Sequence, residues 1–247
     1  IKQYHDTVQT QAAQLTEWNH TLEDRVREQV AQLERLGKLK RFFSPQIAQV
    51  IEAGGDEMLH SHRREITAVF VDLRGFTAFS ETAEPEDVMA VLNEYHREMG
   101  RLILAYDGTL EHYAGDGIMV FFNDPVPVAN AAERAVRMAL EMRDRATALS
   151  EKWRSRDFTL SAGVGIATGY ATLGIIGFEG RWDYAAIGTV TNLAARLCAE
   201  AKPGQIVTTR KTLTGLESRV DAEPLGDLVL KGLARPVPAF NLIGWRE

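Results

Sequence analysis

The chain is short of several things, and each shortage removes a class of answer. One cysteine, Cys198, stands in 247 residues. A single thiol excludes an internal disulfide and fits a reducing compartment, so the cytoplasm is the expected location. Cys198 falls in a helical-looking run, 193–199, and reads as a buried inert thiol rather than a reactive one. No stretch approaches the roughly 20 apolar residues of a membrane span, and no signal peptide opens the chain. Basic residues are spread rather than blocked in a chain of formal charge -6, so no nucleic-acid footprint is suggested. Internal repeats and low-complexity tracts are also missing. What remains is 45% apolar content, enough to bury one full-sized core with residues left over. The first residue is Ile1 and the opening has the character of mid-helix, so the expectation is a piece of a longer protein.

The first forty residues hold no proline, and glycine first appears at Gly37. Val8, Leu15, Leu22, Gln29 and Leu36 recur every seven residues, with Ala12, Asn19, Val26 and Leu33 at the complementary positions. This is an a/d seam over about four heptads. It predicts a parallel two-stranded coiled coil, the alternative being one amphipathic helix packed on its own domain. Asn19 at an a position would fix register and dimeric state. Ser44-Pro45 then reads as an N-cap and first helical position, opening a short helix at 46–52 that Gly54-Gly55 ends.

Beyond residue 64 the pattern predicts an α+β domain. A β-branched strand at 66–73 is followed by a helix at 84–107. Two strands, 109–113 and 118–122, are joined by the tight turn 114–117. A long helix at 128–153 and a strand at 158–167 follow. Strand, helix, hairpin, helix, strand is the split βαβ order of a ferredoxin-like sheet. Two further strands near Tyr184 and Ile206, a helix at 190–201, and a C-terminal pair around Leu228 and Phe240 complete it.

Two aspartates carry the chemistry. Asp72 ends the first strand, in Phe70-Val71-Asp72-Leu73-Arg74-Gly75-Phe76-Thr77, and Asp116 sits at the hairpin tip in Gly115-Asp116-Gly117. If the hairpin lies beside the first strand, both carboxylates meet at one sheet edge and make a seat for Mg²⁺ or Mn²⁺. The bland alternative is two unrelated turn aspartates. The turn 75–77 adds small-residue backbone at Gly75 and the Thr77 hydroxyl, suited to phosphate oxygens. Asn192 and Arg196, at i and i+4 of the later helix, share a face that could hold a ribose and a charged phosphate, or could simply be solvated.

Phe70-x-Asp72-x-x-Gly75-Phe76-Thr77, Gly115-Asp116-Gly117, Val190-x-Asn192-x-Ala194-Ala195-Arg196, and Leu230-Lys231-Gly232 before Pro236-Val237-Pro238 occur in the order seen in class III adenylyl and guanylyl cyclases. Over about residues 60 to 245 the chain resembles their catalytic domain, and the first 43 residues with Arg41-Phe42-Phe43-Ser44-Pro45 resemble the segment that links sensors to it. The resemblance implies a coiled-coil helix at 1–43, a short linker helix and loop at 44–63, and a catalytic domain at 64–247. It implies that Asp72 and Asp116 bind two divalent metal ions, Mg²⁺ or Mn²⁺, and that the Leu73 backbone and Gly75, Phe76 and Thr77 help with metal and triphosphate. Asn192 would orient the ribose and Arg196 would neutralise the transition state. It further implies a homodimer with shared sites, regulated from an upstream sensor.

Two positions depart from the family's pattern. Base selection usually pairs a Lys with Asp or Thr for adenine, or a Glu with a small polar residue for guanine; the corresponding residues here are His112 and Ala185. His112 could donate to adenine N1, accept from guanine N1–H, or be a plain strand histidine. The main chain beside Ala185 could read the adenine amino group, and ATP is expected over GTP. Gly163 stands where many relatives carry a phosphate-binding Arg; Lys231, with Arg235 as runner-up, is the expected substitute, though a solvated lysine would look the same. A catalytically inactive nucleotide-binding or dimerisation module is the competing class.

Overall fold

A computed structural model describes residues 2–39, 43–154 and 158–246. The site is built around β1 (His62–Arg74), which is joined by α3 (Phe76–Thr82) and α4 (Pro85–Ala105) to the hairpin β2 (Thr109–Ala114) and β3 (Gly117–Phe122). The helix α5 (Ala131–Arg154) leads to β4 (Ser161–Phe178), which turns into β5 (Arg181–Ile187). Then come α6 (Thr189–Glu200), β6 (Ile206–Thr209), the single turn α7 (Arg210–Leu213), β7 (Val220–Leu228) and β8 (Val237–Trp245).

The sheet runs β2-β3-β1-β4-β6-β8-β7, with β5 paired to β4 off that path. Its first four strands are mutually antiparallel in the order of a ferredoxin-like sheet, as the split βαβ pattern predicts. Alternation along β1 divides its side chains between two faces. Val69, Val71 and Leu73 join Ile118, Val120 and Phe122 of β3 in a core with Tyr95 and Met99 of α4 and Val136 and Met142 of α5. Each such burial contributes roughly 1.5–3 kcal/mol. Asp72 and Arg74 lie on the alternate positions, toward α6.

Several elements differ from the sequence reading. Residues 76–82, taken as turn and connection, form α3, because Gly75 adopts a left-handed φ of 86° and caps a new helix. The expected strand at 158–167 begins only at Ser161 and runs on to Phe178, since Gly165, Gly169, Gly174 and Gly177 are close-approach positions rather than breakers. At Gly165 a Cβ would lie 2.2 Å from the Ala194 carbonyl oxygen, so α6 rests directly on the β4 backbone. β1 begins at His62, two residues inside the expected linker.

The chain divides into two compact units, 1–48 and 49–247. In the first, α1 (Lys2–Leu39) is one continuous helix, and Leu15, Leu22, Val26 and Leu33 of the heptad seam are exposed. The side chains of Val8, Ala12 and Leu36, and residues Arg41 and Phe42, lie outside the described residues. Among the described residues no helix is long and apolar enough to cross a membrane.

Candidate active site

Asp72 lies two residues before the C-terminal end of β1, paired with Gly163 of β4, and Asp116 occupies the tip between β2 and β3. Because β1 pairs with β3 from Val71↔Ile118 to Thr67↔Phe122, the hairpin tip falls beside the C-terminal end of β1. The Leu73 backbone N–H donates to Asp116 Oδ2 at 3.0 Å. The two carboxyl groups are themselves within hydrogen-bonding reach. Burial first, then the Asp72 carboxyl, pushes the Asp116 carboxyl up to about 6. From α4, the half-buried ring of His96 packs on Tyr113 of β2, their centroids 4.4 Å apart.

Two hard oxygen donors side by side, one of them held back from ionising, are the arrangement a divalent cation relieves. Among the described residues no group of three or more His, Cys, Asp or Glu side chains converges. A cation held by this pair would therefore complete its shell with main-chain oxygen, water or the oxygens of a polyphosphate. The residues present fit a divalent ion that arrives with an anionic substrate.

Sequence reasoning passed over Arg74. Its Nη1 donates to Asp72 Oδ2 at 2.6 Å, its Nε donates to the Ala201 carbonyl at 2.9 Å, and its Nη2 donates to the Cys198 carbonyl. These two carbonyls belong to the end of α6, where helical C=O groups lack intrahelical donors and a cation is favourable. The guanidinium thus ties the Asp72 carboxylate to α6. It lies against Gly163, where a Cβ would come 2.6 Å from Arg74 Nη2. Asp72 and Gly163 are paired in register, so the space a side chain at 163 would take is occupied by a guanidinium from two residues further along β1. Cys198 is buried beneath, its thiol pushed up to about 12 by burial.

Asn192 and Arg196 lie exposed on α6, one helical turn apart. Among the described residues no hydrogen bond or ion pair joins either to the aspartates. Thr77 and Gly75 are exposed and Phe76 is half-buried at the start of α3. Lys231 and Arg235 are exposed in the connection between β7 and β8.

His112 and Ala185 come together through a residue the sequence did not single out. Glu111 is the extra residue of a bulge in β2 between Leu110 and His112. Its Oε1 accepts the Ala186 backbone N–H at 2.9 Å, and its Oε2 lies 3.3 Å from His112 Nδ1. Behind β5, Asp124 is fully buried. It accepts from His62 Nε2 at 2.7 Å, from Arg64 Nη1 at 3.1 Å, and from the Tyr184 hydroxyl. The β4–β5 arm leaves Tyr170, Ile175, Ile176, Phe178, Trp182 and Ile187 exposed.

The family model described as the adenylate and guanylate cyclase catalytic domain matches residues 58–244. Adenylate cyclase 1 of Rhizobium meliloti (strain 1021) is 31% identical over 197 residues, which cover 78% of this chain and 30% of that protein. The adenylate cyclase of Anabaena cylindrica is 30% identical over 171 residues, covering 66% and 33%. The chain thus spans about a third of the length of these relatives. Among solved structures, the adenylyl cyclase CyaB from P. aeruginosa has a TM-score of 0.73 at 36% identity, covering 76% of this chain and 98% of that one. The guanylyl cyclase Cya2 has a TM-score of 0.70 at 34% identity, covering 76% and 96%. With the ordered motifs on this sheet and a family match across nearly the whole second unit, the chain belongs to the adenylate and guanylate cyclase catalytic domain family, the class III nucleotidyl cyclases.

Proposed function

We propose that the chain is the catalytic part of a homodimeric adenylate cyclase that converts ATP to 3′,5′-cyclic AMP and pyrophosphate. The observation that carries this reading is the Asp72–Asp116 pair at the C-terminal end of β1, where burial and the Asp72 carboxyl raise Asp116. Two divalent cations, Mg²⁺ or Mn²⁺, held by Asp72 and Asp116, would supply acidification of the ribose 3′-hydroxyl and neutralisation of the phosphate charge. Leu73 and the turn 75–77 would steady the triphosphate beside the pair. Asn192 holds the ribose so that the 3′-oxygen lies in line with the α-phosphorus. As that bond forms, the bond to the bridging oxygen breaks and pyrophosphate leaves, while the hydroxyl proton passes to solvent. Arg196 balances the charge that develops on the α-phosphate oxygens. Lys231 contributes positive charge toward the triphosphate.

Two copies are needed because Asn192 and Arg196 of one chain would serve the aspartates of the other. The exposed apolar residues of the β4–β5 arm and the exposed heptad seam of α1 suit such pairing. Through α1 an upstream sensor would align or misalign the half-sites. Similarity to the named adenylate cyclases favours ATP; a guanylate cyclase is the second reading, drawn from the likeness to Cya2. The test is turnover of ATP and GTP, each with Mg²⁺ and with Mn²⁺. Cyclic AMP is the expected main product, and Asp72→Ala should reduce it by at least about a thousandfold with the dimer intact. Cyclic GMP as main product moves the assignment to the second reading. Binding of nucleotide without turnover of either leaves the inactive module.

A further inference from the structure

Glu111 is bound at both ends of its carboxylate. The side chain is 10% exposed, whereas His112 beside it is 54% exposed. A carboxylate is an acceptor only, so the ring atom facing its Oε2, His112 Nδ1, must carry a proton for the contact to be favourable. The other oxygen takes the Ala186 N–H, which points away from β4 because Ala186 pairs with Leu173 there and β5 has no strand on its outer side. A buried carboxylate is costly unless a positive group and hydrogen bonds compensate it. Here the compensation comes from the backbone of β5 and the ring of His112, the two sides of the position where the family reads the base. Burial pushes the Glu111 carboxyl up, the tendency that a cationic neighbour opposes.

We propose that Glu111 is the positioning residue that sets base selectivity, holding the His112 ring with Nδ1–H on its own carboxylate and Nε2 turned to the purine, opposite the Tyr184–Ala186 main chain. This rests on the cyclase reading above. The adjacent Glu111 charge compensates a second proton on the ring, and an Nε2–H matches adenine N1, an acceptor, and opposes guanine N1–H, a donor. The bulge in β2 is what turns Glu111 toward β5 rather than leaving it in the ladder. The chain therefore divides between Glu111 and His112 the part that the family's pattern gives to a Lys in adenine selection.

The test compares the full chain with E111Q and with E111Q carrying His112→Lys as well. Gln keeps an acceptor for the Ala186 N–H but removes the counter-charge, so folding should be preserved, as melting temperature will report. Dissociation constants for 3′-deoxy-ATP and 3′-deoxy-GTP in Mn²⁺ are measured beside kcat/KM for ATP and GTP. E111Q should lower the preference for the adenine nucleotide about tenfold in both measures, the difference between a charge-assisted and a neutral hydrogen bond. The added Lys should restore it. An unchanged ratio in E111Q, or equal loss for both nucleotides, overturns the proposal. If the chain binds the analogues but turns over neither triphosphate, the cyclase reading fails while the binding ratios still decide the role of Glu111. If it binds neither, both fall.

Discussion

Arg74 answers Asp72, but Asp116 is held in a state that costs stability until a cation joins the pair. In the folded chain Asp116 keeps its proton up to about 6, whereas an unfolded Asp releases it near the ordinary 3.8. The folded state therefore binds more protons between those values, and stability should fall as pH rises through that window and stay lower above it. Asp116→Asn retains an acceptor for the Leu73 N–H and removes the repulsion. Without metal, urea denaturation should show parent and variant close at pH 4 and the variant more stable at pH 7 to 8. Millimolar Mn²⁺ should stabilise the parent and leave the variant unmoved. A variant less stable than the parent at pH 8 without metal would contradict this. The two aspartates were legible because a carboxylate ending an apolar strand and another at a hairpin tip are local patterns. Arg74 and Glu111 were not, although they flank Asp72 and His112. The role of Arg74 comes from the Asp72↔Gly163 register and that of Glu111 from a bulge, and neither is written in local spacing.

Among the elements, β5 depends on a contact made from behind. Asp124 gathers His62 and Arg64 from β1 and Tyr184 from β5, so one buried carboxylate fixes the strand that carries Ala185. Removing one partner of a fully buried pair costs about 3–5 kcal/mol. His62 and Arg64 can reach water, which reduces the expected loss for Asp124→Ala to about 2–3 kcal/mol, measurable by urea denaturation. The side-chain hydrogen bond to Asp124 raises His62 above its ordinary 6.5. A raised folded-state value means the His62 contribution is complete below the unfolded value and disappears as pH rises through the folded one. The deficit of His62→Ala should therefore be complete below the ordinary 6.5 and shrink as pH rises above it; a deficit that grows with pH would refute the pairing. The helices α4, α5 and α6 and the hairpin were readable from period and turn chemistry. The arm was not: repeated glycines between 165 and 177 look like strand breakers, and only the packing of α6 and the β4–β5 pairing show why β4 runs through them.

At the scale of the molecule, the apolar arm is one feature that a single copy leaves exposed. Phe178 and Trp182 are 69% and 54% exposed at its tip. Replacing both by Asp should reduce self-association in sedimentation velocity and lower cyclase activity at low protein concentration, with the fold retained by circular dichroism. A fully active monomeric variant would show that pairing is not required. The ferredoxin-like order of the first four strands was readable from the succession of elements, because chain connectivity restricts such a sheet to few arrangements. The second copy was expected from the heptads and the family resemblance, not from any property of the isolated domain. The most direct measurement mixes Asp72→Ala chains with Asn192→Ala chains, each silent alone. If each site takes its aspartates from one chain and its Asn/Arg helix from the other, random pairing leaves one intact site in half of the dimers, restoring about a quarter of the parent activity. Heterodimers that form and stay silent would contradict the shared site.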